Sequence, residues 1–408
     1  MHAISHPLSR LARIAGAAAI GLASLAACSA DTMAQLPSIS LPGVSSSTPG
    51  VGEIARSGPV RVALLVPTGS NDAERNALGA ALENSARLAL ADRPGSAIEL
   101  TVLSTGGEPN MAATAAAQAV ALDADIIVGP LFSSSVAAVG PIAQQAGIPV
   151  LSFSNNPAVA GGNVYILGRT FENSARRLMS FAAARGLRNT GLIHTQDAEG
   201  QAALAAVQEA ARETGAQLVA TASYPRSREG IPAAAEFFTT EMIRNGVDNL
   251  LLSDRGTGLI YAASFLPFHG LNVDRTQVMG LQELTESAMA SERALAGAWY
   301  TVIDPAQVAA FDSRFSARYG ARPHPLASLA YDGIAAVDTL VGEARASRNM
   351  RAFDARNLTR SAGFTGAEGA FRFRSDGGTD RALAIMEVTR DGPQLVDPAP
   401  GSLGLSGS

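Results

Sequence analysis

The chain has 408 residues, of which 47% are apolar and 16% charged, enough for two packed domains and too apolar for a disordered protein. Its formal charge of -5 argues against a nucleic-acid partner, because phosphate recognition needs a basic face. All 31 basic residues are arginine, which excludes a P-loop lysine, a Schiff-base lysine and a Ser-Lys pair.

Arg10 and Arg13 precede a short apolar run from Ile14 to Leu25. Twelve residues rising 1.5 Å each reach about 18 Å, short of a ~30 Å hydrocarbon core, so the run reads as an export signal over residues 1–27. It ends in Leu25-Ala26-Ala27-Cys28, which resembles the lipobox of bacterial lipoproteins. That resemblance implies acylation of Cys28, the chain's one cysteine, and, with Ser29 rather than Asp behind it, sorting to the outer membrane. Removing residues 1–27 deletes two arginines and no acid, which takes the charge from -5 to -7. Residues 28–58 are rich in Ser, Pro and Gly and read as a lipidated cysteine with a flexible tether. One cysteine makes no thiolate zinc site, and His194, His269 and His324 lie too far apart in sequence for a metal motif, so neither metal nor cofactor is expected.

From Val60 onward strands and helices alternate. Val60–Val66 reads VRVALLV, a continuous apolar run closed by Pro67, which predicts a strand buried on both faces. Asn71 or Asp72 is placed to cap a helix to about Asp92. Strand 98–103, helix 110–122 and strand 126–128 follow, then a helix over 133–146 capped by one of Ser133, Ser134 and Ser135. Strands 148–151 and 164–167 and helix 172–185 complete the first series. The second runs as strand 190–194, helix 198–214, strand 217–223, helix 233–245, strand 250–252, helix 258–268 and strand 277–279. Helices near 308–319 and 326–346 come next, and strands 370–373 and 382–388 joined by the turn Asp376-Gly377-Gly378 end the chain. Repeated β-α units predict an α/β fold of two doubly wound, Rossmann-like lobes with a cleft at the carboxyl ends of the strands.

The segments RVALLVP (61–67), IVGPLFSSS (127–135), GIPVLSFSNN (147–156), Asp197 to Gly200 before a long helix, LAYD (329–332) and FTGAEGAFRF (364–373) occur in this order. Together they resemble the type 1 periplasmic binding proteins, in the leucine/isoleucine/valine-receptor branch, over about 60–397. The resemblance implies three crossover segments near residues 168, 303 and 350. The first lobe is then 59–168 plus about 304–350, the second 169–303 plus about 351–398, and 399–408 a disordered tail. It also implies a carboxylate contact from Ser133, beside Ser134, and from the stretch Ser154, Asn155 and Asn156. Hydroxyls and free N–H groups at a helix start suit an anion, and the same serines equally suit a cap. Glu199 stands where the family has a tyrosine, and Gln282 where it has an acid for the ligand ammonium, with Glu283 next in line. Arg255 follows a predicted strand and either faces the cleft or starts a helix. Tyr331 and Asp332 read as packing and hydrogen-bonding residues.

No G-x-S-x-G elbow or spaced carboxylate pair points to an enzyme, and Gly256-Thr257-Gly258 is followed by Leu-Ile-Tyr, which breaks the dinucleotide pattern. Two functions fit the resemblance. One is the penicillin-binding protein activator type of lipoprotein, which shares this fold and would bind a periplasmic cell-wall synthase domain; the lipobox, the tether and the altered amino-acid site favour it. The other is the substrate-binding receptor of an ABC transporter, which closes on an amino acid or related solute and docks on a permease.

Overall fold

A computed structural model of the chain describes residues 52–403, so the expectations for residues 1–51, Cys28 among them, lie outside the described residues. The run VRVALLV forms β1 (Val60–Val66). Val60, Val62, Leu64 and Val66 enter one core and Ala63 and Leu65 another, so the run is apolar throughout because both its faces are covered. Around it lie β2 (Ile98–Ser104), β3 (Ile126–Val128), β4 (Val150–Ser152) and β5 (Val164–Ile166), all parallel in the order β2-β1-β3-β4-β5. One face carries α1 (Ala73–Ala91); the other carries α2 (Pro109–Ala121) and α3 (Ser133–Gln145). Asp72, not Asn71, caps α1, its carboxylate accepting from the N–H groups of Glu74 and Arg75. None of the three serines caps α3, where Phe132 holds the N-cap position and gives no side-chain bond.

The second sheet is built from α4 (Phe171–Ala184), β6 (Asn189–Thr195), α5 (Ala198–Thr214), β7 (Gln217–Tyr224), α6 (Gly230–Arg244), β8 (Asn249–Leu252), α7 (Gly256–Phe268), β9 (Gln277–Gly280) and β10 (Trp299–Val302). The strands β7, β6, β8, β9 and β10 pair parallel in that spatial order. Leu250 and Leu252 face the core under α6 and α7, and Leu251 faces the core under α4 and α5. The chain then returns to the first lobe with α8 (Pro305–Tyr319) and α9 (Ser328–Ser347), which close the face already bearing α1. The short α10 (Ala355–Leu358) and a three-stranded antiparallel sheet, β11 (Phe364–Gly366), β12 (Gly369–Phe373) and β13 (Thr379–Arg381), follow. Finally β14 (Ala384–Glu387) and β15 (Gln394–Asp397) extend the second sheet antiparallel beside β10.

Four boundaries differ from the sequence reading. Residues 52–58 are part of the fold and not tether: Ile54 is buried, its N–H donates to the Met350 carbonyl, and the Gly52 carbonyl accepts from Phe353 N–H. The return expected near residue 350 lies after Arg381, because Phe353, Leu358, Phe364, Phe371 and Phe373 all pack into the first lobe's core, Phe373 edge-on to Tyr165. The end of α9 had marked the end of a helix, not of a lobe. The turn at Asp376-Gly377-Gly378 joins β12 to β13, and the stretch expected as one strand over 382–388 only begins after the crossing, at β14. The first part of the C-terminal segment is held on the fold, Arg372 donating to the Leu403 carbonyl at 3.2 Å. Among the described residues no helix is long and apolar enough to cross a membrane.

Candidate functional site

The loops after β3, β4, β5, β6, β8 and β9 converge on a cavity of about 1010 Å³ between the carboxyl ends of the two sheets. Ser133, Ser154, Asn155, Asn156, Glu199, Arg255 and Gln282 line it together; Ser134 does not, being exposed beside it.

The wall from the first lobe is held by a chain of short polar contacts. Ser152 donates to the Pro130 carbonyl at 2.8 Å and accepts from the Ser154 N–H at 3.0 Å. Ser154 Oγ accepts from the Asn156 N–H at 3.2 Å and lies 3.4 Å from Ser133 Oγ. Asn156 turns its side-chain oxygen to the Ala158 N–H at 3.0 Å and so fixes the next turn. These bonds aim two hydroxyls at the start of α3, where no side chain caps the first N–H groups. Helix-end donors and the positive end of the helix dipole together make that corner suited to a carboxylate oxygen.

The wall from the second lobe is a network of charges. Asp197 caps α5, accepting from Gly200 N–H at 2.9 Å and from the Thr195 hydroxyl at 2.7 Å. The Gly200 N–H above all, then the Thr195 hydroxyl and Arg226, hold its carboxyl below the usual range. Two residues on, Glu199 is fully engaged. One carboxylate oxygen accepts from Arg226 at 2.9 Å; the other accepts from Gln282 at 3.0 Å and lies 3.3 Å from Arg255. Arg226 also reaches Asp197 at 3.2 Å and Asp254 at 3.0 Å. Asp254 is buried and accepts from the Tyr224 hydroxyl at 2.8 Å. Burial first, and the adjoining Asp254 carboxylate second, push the Tyr224 phenol upward, so it stays a donor. Glu283, the other acid near the expected ammonium position, is held by Arg169 at 2.8 Å. Burial, reinforced by Glu283, pushes the Tyr300 phenol up to about 12.

Beneath the cavity lies a cluster the sequence reading resolved only at Asp332. Arg381 bridges Asp332 at 2.8 Å and Glu368 at 2.9 Å, all three side chains being buried. Glu368, which also accepts from the Ser328 hydroxyl at 2.6 Å, reaches the cavity wall. The same guanidinium donates twice to the Leu167 carbonyl, at 3.0 and 2.8 Å, where the chain leaves β5 for the second lobe. Tyr331 donates to Asp92 at 2.9 Å and packs against Phe311, in keeping with a packing role. Arg226, Asp254, Glu368 and Arg381 were missed because they come from loops and strand ends with no motif of their own. Glu368 alone sat inside a recognised segment. Among the described residues no group of three His, Cys, Asp or Glu is placed to hold a metal ion.

A family model described as periplasmic binding protein matches residues 59–393. No curated protein matches the chain. Among solved structures, a putative branched-chain amino acid ABC transporter from Rhodospirillum rubrum is similar with TM-score 0.68 and 17% identity, over 83% of this chain and 100% of that one. An ABC transporter substrate-binding protein from Sphaerobacter thermophilus gives 0.58 and 19%, over 85% and 98%. An ABC transporter solute-binding protein from R. palustris in complex with benzoate gives 0.52 and 17%, over 86% and 98%.

Proposed function

Since the chain belongs to the periplasmic binding protein family, we propose that it is a non-catalytic periplasmic receptor that closes on a small carboxylate-bearing solute and hands it to an ABC permease. The observation that carries this reading is the pairing of Ser133 and Ser154 at the uncapped start of α3, on the wall of a cavity of about 1010 Å³. A carboxylate placed there takes hydroxyl and backbone donors from the first lobe, and closure brings the arginine-bearing wall of the second lobe over it. The transport proteins among the similar structures support the class, and the benzoate complex supports an acid as ligand.

The test is thermal denaturation against a panel of carboxylic acids, amino acids included. A member at 100-fold excess over its Kd stabilises the fold by about 2.7 kcal/mol. Ser133→Ala removes one donor to a charged group, worth about 1.5–3 kcal/mol, and should weaken that member's binding by roughly 10- to 100-fold without lowering the ligand-free midpoint. No response to any acid, or an unchanged affinity in Ser133→Ala, would count against the reading.

A second reading, an activator of a periplasmic cell-wall synthase anchored to the outer membrane through Cys28, draws on the lipobox and the Ser/Pro/Gly stretch behind it. Gln282 in place of an expected acid favours it too. Recovery of a synthase domain by the purified chain at low salt, rather than of a permease, would shift the balance toward it. Fatty-acid labelling that is lost in Cys28→Ala tests the anchor, which both readings accommodate.

A further inference from the structure

We propose that Arg226 is a specificity-determining residue, a built-in cation that occupies the acids of the second lobe, so that the cleft takes carboxylic acids without an α-ammonium group. This rests on the receptor reading above and narrows its ligand class.

Asp197 and Glu199 follow the end of β6, Asp254 follows the end of β8, and Arg226 follows the end of β7 between them in sequence. Asp197, Glu199 and Asp254 all lie within 3.2 Å of the Arg226 guanidinium. The sequence alone would offer Glu199, on the cavity wall, to an ammonium. In the fold both its oxygens are taken, one by Arg226 and the other by Gln282 and Arg255. An ammonium ion in the cavity therefore competes at Glu199 with Arg255 and Gln282 for one carboxylate oxygen, and with Arg226, which does not itself line the cavity, for the other. Arg255 has a side chain 64% exposed and keeps N–H donors for an acceptor on the ligand. Glu283 is balanced in the same way by Arg169. Arg226 is itself bound tightly: against the cost of its burial, Glu199, Asp254 and Asp197 hold its proton more firmly than in water. With three carboxylates within 3.2 Å of it, it is not a charge that a ligand displaces cheaply. The competing site for an amine is Glu172, in the first turn of α4, which lines the cavity and has no arginine partner among the described residues.

Matched pairs separate the two classes: 4-methylpentanoate with leucine, and 3-phenylpropanoate with phenylalanine, titrated by calorimetry into the purified chain. The acid should bind at least about tenfold more tightly than its amino acid, a difference of about 1.4 kcal/mol. Arg226→Gln should move that ratio at least about tenfold toward the amino acid, and Glu199→Gln added to it should cancel the gain. Because Arg226→Gln leaves the buried Asp254 without its cation, Arg255→Gln, at an exposed position, is the second variant and should move the ratio in the same direction. Methylguanidinium added to Arg226→Gln should restore the wild-type preference. Amino acids bound as well as their acids by the wild type, or a ratio unmoved in both variants, overturns the inference and leaves the receptor reading standing. So does an amino acid held by the wild type and lost in Glu172→Gln. If neither member of any pair nor any other carboxylic acid binds, the receptor reading falls and the inference with it.

Discussion

Replacing Arg381 with methionine is expected to destabilise the fold by about 3–5 kcal/mol, because it strands two buried carboxylates. Asp332 and Glu368 share this one guanidinium, and none of the three side chains is more than 5% exposed. Methionine fills much of the volume but returns nothing to Asp332, Glu368 or the Leu167 carbonyl. The loss falls on the crossing between lobes, since Arg381 ends β13 and Leu167 follows β5. Burial, then the charge of Glu368 outweighing part of what Arg381 supplies, pushes the Asp332 carboxyl up to about 6 from 3.8. The folded state therefore takes up a proton that the unfolded chain releases. This contribution is fully present below about pH 4 and is lost as the pH rises through about 6. Asp197 acts in the opposite sense, held low chiefly by the Gly200 N–H, so the wild-type curve mixes both. Asp332→Asn isolates the effect: it keeps an acceptor for the Ala367 N–H and leaves Arg381 balanced by Glu368. Urea unfolding from about pH 4 to about pH 7.5 should show the wild type gaining stability relative to Asp332→Asn as the pH falls. Parallel curves for the two proteins, or an Arg381→Met protein as stable as wild type, would contradict this account of the cluster.

Much of this architecture was legible because burial on both faces leaves a plain mark in sequence. VRVALLV has no polar alternation because its successive residues enter two different cores: Leu64 faces α1 and α9, Leu65 faces α2 and α3. Helix α5 was read with both its ends, since Asp197 before it and Gly215 in the left-handed conformation behind it are strong local signals. The return to the second sheet was misplaced because no local signal distinguishes a strand that packs under α9 from one that pairs with β10. Phe364, Phe371 and Phe373 carry the same alternation either way, and only their packing into the first lobe's core, with Phe373 edge-on to Tyr165, decides it. At the site, the family resemblance singled out Ser133, Ser154, Glu199 and Gln282, and the place of Arg255 after a strand singled it out; all five line one cavity. Neither signal could give their charge state. Arg226 lies 27 residues from Glu199, and its hold on three acids depends on how far β7 and β8 carry their ends. Ser134 failed for a simpler reason: successive residues of a helix point about 100° apart, so a neighbour of a cleft residue usually faces elsewhere.

Gly200→Ala is expected to cost about 3 kcal/mol and to loosen the second-lobe wall with it. Alanine is the better helix former by about 1 kcal/mol, so propensity alone predicts the opposite sign. Space decides it. A Cβ on Gly200 would stand 2.5 Å from the Thr195 carbonyl carbon, 2.6 Å from its hydroxyl oxygen, and closer still to its carbonyl oxygen. Two of those three atoms are main chain at the end of β6, which is clamped between β7 and β8, so no rotamer change relieves the contact. The start of α5 must then move off the strand. That movement breaks the bond from Gly200 N–H to Asp197 and withdraws Glu199 from Gln282 and Arg226. Gly342 on α9 supplies the control, because a Cβ there meets nothing within 4 Å. Gly342→Ala should raise stability by about 0.5–1 kcal/mol through helix propensity and a stiffer unfolded chain. Chemical denaturation of the two variants should give shifts of opposite sign. Equal gains in both would mean that α5 is not seated against Thr195, and that Glu199 is not held where the charge network requires it.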